Sequence, residues 1–375
     1  MFYILSKYYD PNTATTNHAL SFMKGFSEMG VQAEWVFIIP NARQALWEKP
    51  YRGISVRYLW NKLISKNRLT RYIYMHIRYA FFYFFTLKEG DTILVMFADS
   101  FLHRLVRRRG INVYHERTEH PDAYPMSKYK WVRRNFVADS AKSSGFFVIS
   151  NALKTYFEKE GLSQGHVHVI NMVVDANRFY GLKKDDTVEP YIAYCGNASN
   201  SKDGVDNLIR AFAIVAKKYS NIKLYIIGKA PSTESDNHQL VKSLGIENRI
   251  VFTGIVPAEK MPQLLMNAKM LALFRPESLQ NTYGFPTKLG EYLLTGNPVV
   301  ITRIGDIPLF LEHKKSALMS NCGDVQTFAN NIEWVINNPE ASQEIGLRGK
   351  EIAEKNFNYF TETEKMYKVM FPDKK

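Results

Sequence analysis

Short apolar runs alternate with amphipathic stretches along the whole chain. Phe2–Leu5, Glu34–Ile39, Thr92–Met96, Ile111–Tyr114, Phe146–Ile149 and His166–Ile170 predict one series of strands. Tyr191–Cys195, Lys223–Ile227, Arg249–Phe252, Met270–Phe274, Pro298–Ile301 and Ala317–Met319 predict a second. Between them apolar positions recur at helical spacing, as in Asn207–Lys218 (Leu208, Ile209, Phe212, Val215, Ala216) and Met261–Asn267. Strands bracketed by turn residues and separated by helices predict βαβ units and parallel sheets. Two such series predict an α/β protein of two Rossmann-like, doubly wound domains. The polar stretch Gly181–Pro190 divides them. The expected boundaries are 1–183 and 184–355, with 356–375 a C-terminal helix that is a candidate to cross back to the first domain. Ligands of doubly wound sheets bind at the C-terminal ends of the strands, so the default site is a central cleft between two facing domains.

Composition narrows the class. A length of 375 residues suits two domains, and 46% apolar with 14% aromatic residues excludes a disordered chain. Two cysteines, Cys195 and Cys322, exclude a disulfide scaffold and a Cys-rich zinc site, and fit a reducing compartment. The start, MFYILSKYYD, reaches a charge at Lys7 and has no signal-peptide core. No apolar run reaches the ~18 residues of a membrane span. A cytoplasmic protein is expected, peripheral on the inner face of the membrane if it touches lipid. The formal charge of +13 is uneven: residues 1–180 hold 25 Lys+Arg against 14 Asp+Glu, and the rest 24 against 22. Different partners for the two halves follow.

Two segments of the second half carry candidate chemistry. Tyr191–Cys195 runs into Gly196-Asn-Ala-Ser-Asn-Ser-Lys202-Asp-Gly204 and then a helix. A strand, a Gly/Ser/Asn turn with one lysine and a helix start can hold a phosphate through backbone N–H groups and one full charge. An ordinary βα turn with a surface lysine is the plain alternative. The second segment is Arg275-Pro-Glu-Ser-Leu-Gln-Asn-Thr-Tyr283-Gly-Phe-Pro-Thr-Lys288-Leu-Gly-Glu291, followed by Gly296-Asn-Pro-Val-Val300. A loop is expected after Phe274, with a helix from about Thr287 ended by Gly296. Glu291 then lies one turn into the helix, and Gly284–Thr287 offers N–H groups at its N-terminus.

This second segment resembles the donor-binding signature of retaining GT-B glycosyltransferases of family 4 (glycosyl transferases group 1). The resemblance extends through Gly196…Lys202-Asp-Gly204, Val251-Phe-Thr-Gly254, Val148-Ile-Ser150 and Asn171-Met-Val-Val-Asp175…Phe179. It covers most of 145–355 and is weak in 1–140. It implies a nucleotide-diphosphate sugar as donor, with Glu291 on the ribose and Lys202 on the diphosphate. Gly196, Gly284 and Phe285 would join Lys202 on the diphosphate, and Gly254 and Val256 would meet the base. Two positions depart from the family: Tyr283 stands for the first glutamate, and Asn197 for the arginine after the turn glycine. Arg275 or Lys288 is the candidate for the missing charge, and Glu277, Gln280 or Tyr283 for the sugar contact. The resemblance also implies retention of configuration, no metal or other cofactor, and a role in cell-surface polysaccharide biosynthesis. The other readings are an epimerase or hydrolase on the same fold, or a nucleotide-sugar-binding subunit inactivated through Tyr283.

The first half is the expected acceptor side, for a glycan or a polyprenyl-diphosphate-linked acceptor. His115, Glu116, Glu119 and His120 follow a predicted strand and are candidate catalytic residues. A solvated turn paired with Arg117 is the alternative. The loop Asp10–His18 stands where relatives carry a Gly-rich loop. Residues 49–88 hold nine Lys/Arg and no acid, interleaved with aromatics, a composition suited to an anionic membrane surface. Arg104, Arg107, Arg108, Arg109, Arg133 and Arg134 add to that charge. Phe81–Phe85 reads alternatively as a core helix. No helix-turn-helix, RNP or zinc-finger pattern supports nucleic acid as a partner.

Overall fold

The computed structural model describes residues 1–7, 9, 13–38, 51–59, 67–96, 110–123, 137–138, 140–185, 187–229 and 234–373. The six arginines named above between 104 and 134, and Asp10–Asn12, lie outside them. The chain divides into two compact units, Met1–Val173 with Tyr359–Lys375, and Val174–Asn358. The division precedes the polar stretch 181–190. Ala176–Phe179 already packs on the helices Met261–Asn267 and Thr287–Leu294 of the second unit.

The first unit holds a parallel sheet of β1 (Phe2–Ser6), β2 (Ala33–Phe37), β3 (Ile54–Tyr58), β4 (Thr92–Val95), β5 (Asn112–Arg117), β6 (Gly145–Val148) and β7 (Val167–Val169), in the order 3-2-1-4-5-6-7. Both faces are covered, so β1 is buried throughout and apolar up to Ser6, which accepts from the Trp35 indole. Phe2 and Ile4 enter one core cluster with Trp35 and Phe37, whereas Tyr3 and Leu5 enter another with Val36 and Ile38. The helix Tyr359–Met370 completes the first cluster with Met366 and Met370. It lies against the helix Ala14–Glu28, and Glu362 accepts the Asn171 N–H at 2.8 Å.

The second unit holds β8 (Tyr191–Cys195), β9 (Lys223–Ile227), β10 (Ile250–Gly254), β11 (Met270–Leu273), β12 (Val299–Thr302) and β13 (Leu318–Ser320), all parallel, in the order 10-9-8-11-12-13. Counted within the unit this is 3-2-1-4-5-6, the dinucleotide-binding order. Both units are therefore Rossmann-like, doubly wound α/β domains, as the alternating pattern predicts. β3 is an addition: its Ile54-Ser-Val-Arg-Tyr58 alternates buried and more exposed positions at the sheet edge. Among the described residues no helix is long and apolar enough to cross a membrane.

Candidate functional site in the second unit

The strand order reverses between β8 and β11, which are neighbours whose connections leave toward opposite faces. That switch point opens a crevice beyond the strand ends, and its two walls are the turn after β8 and the segment after β11.

The turn after β8 is a built structure. Ser199 caps the short helix Asn200–Asp203, and Gly204 ends it at φ 59° before the helix Val205–Ala216. Beneath the turn, Asp203 is 2% exposed and binds three side chains. The Tyr194 hydroxyl donates to its Oδ2 at 2.6 Å, Lys288 pairs with the same oxygen, and Arg275 Nε lies 3.7 Å from Oδ1. Burial by itself raises a carboxyl pKa, but Lys288, the Tyr194 hydrogen bond and Arg275 together outweigh it and hold Asp203 below its ordinary value. Two cations on one carboxylate leave a net single positive charge under the turn. Gly196, at φ 147°, is pressed against this network: a Cβ there would overlap the Lys288 amine. Gly196→Ala is expected to lower unfolding free energy by about 1–3 kcal/mol. Urea denaturation measures this, and an unchanged midpoint would show that Lys288 gives way.

Lys202 stands on the same turn, half-buried, and its carbonyl accepts from Asn281 Nδ2 at 2.8 Å. That bond ties the turn to the opposite wall. The wall is not simply a loop: Leu279–Tyr283 forms a helix capped by Ser278. The Gly284 N–H therefore bonds to Gln280 O at 3.0 Å and is not an open donor, contrary to the expectation for this glycine. The Phe285 side chain is core, packed edge-on against Phe310 and tilted against Phe357. No side chain caps the following helix Thr287–Leu294 at Pro286, so its first turn keeps the character of an anion site.

Glu291 lies one turn into that helix and is half-buried. It is ion-paired with Arg178, whose other nitrogen donates to Ala258 O at 3.3 Å. Arg178 thus joins Glu291 to the segment after β10, where Gly254 is exposed and Val256 is half-buried. Next along the helix, the Tyr292 hydroxyl accepts the Cys195 N–H at 2.6 Å and fixes the end of β8. Burial pushes the Cys195 thiol up to about 12, so it stays protonated near neutral pH. Gly196, Lys202, Arg275, Lys288 and Glu291 accordingly gather around one switch point. Glu277 is exposed, and Gln280 and Tyr283 half-buried, on the second wall. Asp203, Tyr194 and Arg178 were not singled out from sequence. The acid directly before Gly204 and the arginine in Asp175…Phe179 were the available signals.

The candidate residues of the first unit are placed differently from expectation. β5 runs through Arg117, so His115 and Glu116 are inside the strand rather than after it, paired with Phe146 and Phe147 of β6. His115 is 2% exposed, with its Nδ1 3.0 Å from Arg117 NH2. Glu116 Oε1 lies 2.6 Å from His18 Nε2, and both side chains are buried. His120 is buried too; its Nδ1 accepts the Asp122 N–H at 3.1 Å and its ring packs on Tyr156. Glu119 is half-buried. The cluster is a packed polar network and not a solvated turn.

Residues 189–338 match the family model described as Glycosyl transferases group 1. N-acetyl-alpha-D-glucosaminyl L-malate synthase of Bacillus anthracis is 27% identical over 48% of this chain and 43% of its own length. Mannosylfructose-phosphate synthase of Agrobacterium fabrum is 26% identical over 45% and 39%. The matched regions thus span less than half of either relative. The crystal structure of Anabaena HepE in complex with UDP superposes with a TM-score of 0.76 over 99% of both chains, at 18% identity. Residues 189–338 of the second unit are therefore similar to group 1 glycosyl transferases, in a chain whose two Rossmann-like units share the fold of GT-B glycosyltransferases.

Proposed function

We propose that the chain is a glycosyltransferase that moves a sugar from a nucleotide-diphosphate sugar to a glycan or lipid-linked acceptor. The observation that carries this is the switch-point constellation itself: a phosphate-type turn, two cations on the buried Asp203, and one half-buried carboxylate. In this reading the diphosphate lies over Gly196 and the first turn of Thr287–Leu294. Lys202 supplies a full charge, and the net charge of the Asp203–Lys288–Arg275 group adds a fixed field. Glu291 accepts from the ribose hydroxyls, with Arg178 orienting its carboxylate. These cations stabilise the leaving diphosphate without a metal ion. The motif resemblance supports retention of configuration, family 4 membership and a place in cell-surface polysaccharide synthesis. Relatives that act on glucosaminyl and mannosyl groups, by their names, agree with a hexosyl donor.

The test is calorimetry with a panel of nucleoside diphosphates and their sugars, followed by turnover with candidate acceptors. Binding of one nucleotide and its release from the sugar donor on adding acceptor are expected. Lys202→Ala is expected to cut that turnover by about 10²-fold or more. Nucleotide binding with no release under any acceptor would make the chain a binding subunit instead.

A further inference from the structure

The basic, aromatic segment of the first unit is divided by the structure into an inner and an outer face. In the helix Arg68–Phe81 and the π-helical turn Phe82–Thr86 that continues it, Tyr79, Phe82, Tyr83 and Leu87 are buried in the core. Ile73, Ile77, Phe81 and Phe85 recur every fourth residue and are 50%, 53%, 57% and 73% exposed. That spacing sets them on one face. The rings of Phe81 and Phe85 stand 4.3 Å apart, and Phe84 is exposed beside them. The core-helix reading of Phe81–Phe85 thus holds for Phe82 alone of its four phenylalanines. Among the described residues, five of the thirteen exposed large hydrophobic side chains fall in this one stretch. Single exposed apolar residues are ordinary, but a contiguous row marks a contact surface.

The charge around the row selects its occupant. The segment 49–88 holds nine Lys/Arg and no acid in sequence; Arg57 is taken by Glu34, while Arg78 is exposed on the helix that carries the row and Lys88 is exposed just beyond it. A second copy of the chain would meet this face with the same face, setting one basic row against another. A negatively charged bilayer meets both demands. We propose that the Ile73–Phe85 face is a docking surface for an anionic lipid bilayer. The exposed isoleucines and phenylalanines enter the boundary between headgroups and acyl chains, and the basic residues hold the anionic headgroups. This inference does not depend on the chemistry assigned to the second unit.

The test uses the full chain and phosphatidylcholine vesicles with or without about 30% phosphatidylglycerol. Co-sedimentation with the anionic vesicles is expected, falling at least ~10-fold when salt rises from about 50 to 500 mM. Phe81→Ser/Phe85→Ser is expected to lose binding to a similar extent while keeping its circular-dichroism melting curve. In a second variant, Phe85→Trp, fluorescence should shift to the blue on adding anionic vesicles. Equal binding to neutral vesicles, unchanged binding by the double serine variant, or no shift of the tryptophan would each overturn the proposal. So would a wild-type dimer that the serine variant dissociates without any vesicle binding.

Discussion

Asp203→Ala should destabilise the second unit by about 3–5 kcal/mol, because it leaves the buried Arg275 and the half-buried Lys288 without their shared carboxylate. Domains are held by about 5–15 kcal/mol in all, so a large part of the stability goes with one side chain. The loss is read as a lower midpoint in urea or heat. Asp203→Asn keeps the shape and one acceptor oxygen but not the charge, and should fall between wild type and alanine. The pH dependence follows from the sign of the shift. The folded carboxyl is held below the ordinary aspartate value of about 3.9. Its contribution is therefore complete above that value and is lost as pH falls through the depressed one. Asp203→Asn should thus lower the midpoint at neutral pH and converge on wild type in acid. If the wild-type and Asp203→Asn midpoints run parallel from neutral to acid, the carboxylate is not the charge that stabilises the turn.

Glu291→Ala should do the opposite: spare the fold and remove the ligand. The Arg178–Glu291 pair is substantially exposed, and pairs of that kind contribute only about 0–1 kcal/mol. A charged acceptor on ribose hydroxyls is worth about 1.5–3 kcal/mol, so nucleotide affinity should fall about 10- to 100-fold. Transfer should nearly vanish at any practical donor concentration. Glu291→Gln should keep part of the affinity through its amide oxygen. Calorimetry showing unchanged nucleotide affinity in the alanine variant would remove the ribose assignment, whatever happened to turnover.

What could be read from the sequence depended on whether a signal was local. β8, β9 and β11 are uninterrupted apolar or nearly apolar runs, and the strand–turn–helix grammar placed Gly196 and Lys202 in the turn after a strand and Glu291 one turn into a helix. The continuation of β5 was hidden because His115, Glu116 and Arg117 are polar. They are strand residues only because His18 and the neighbouring strands β4 and β6 satisfy them. The Asp203–Lys288 and Arg178–Glu291 pairs join positions 85 and 113 residues apart, a separation at which no spacing rule operates. The outer row of Ile73–Phe85 was obscured by its own composition, since inner and outer phenylalanines are adjacent in sequence.

The helix Tyr359–Met370 gives the two units unequal histories during synthesis. Val174 and Asn358 are bridge partners, and the Val174 N–H bonds to Phe357 O at 2.8 Å. The second unit is therefore a continuous stretch with adjoining ends, able to close as soon as it leaves the ribosome. The first unit emerges earlier but cannot finish its core until Met366 and Met370, which follow the whole second unit in the chain, have been made. Of the two units, the one begun first is thus the one completed second. Until that helix docks, the face of Ala14–Glu28 that it covers stays open on the nascent chain, a surface that a chaperone can shield.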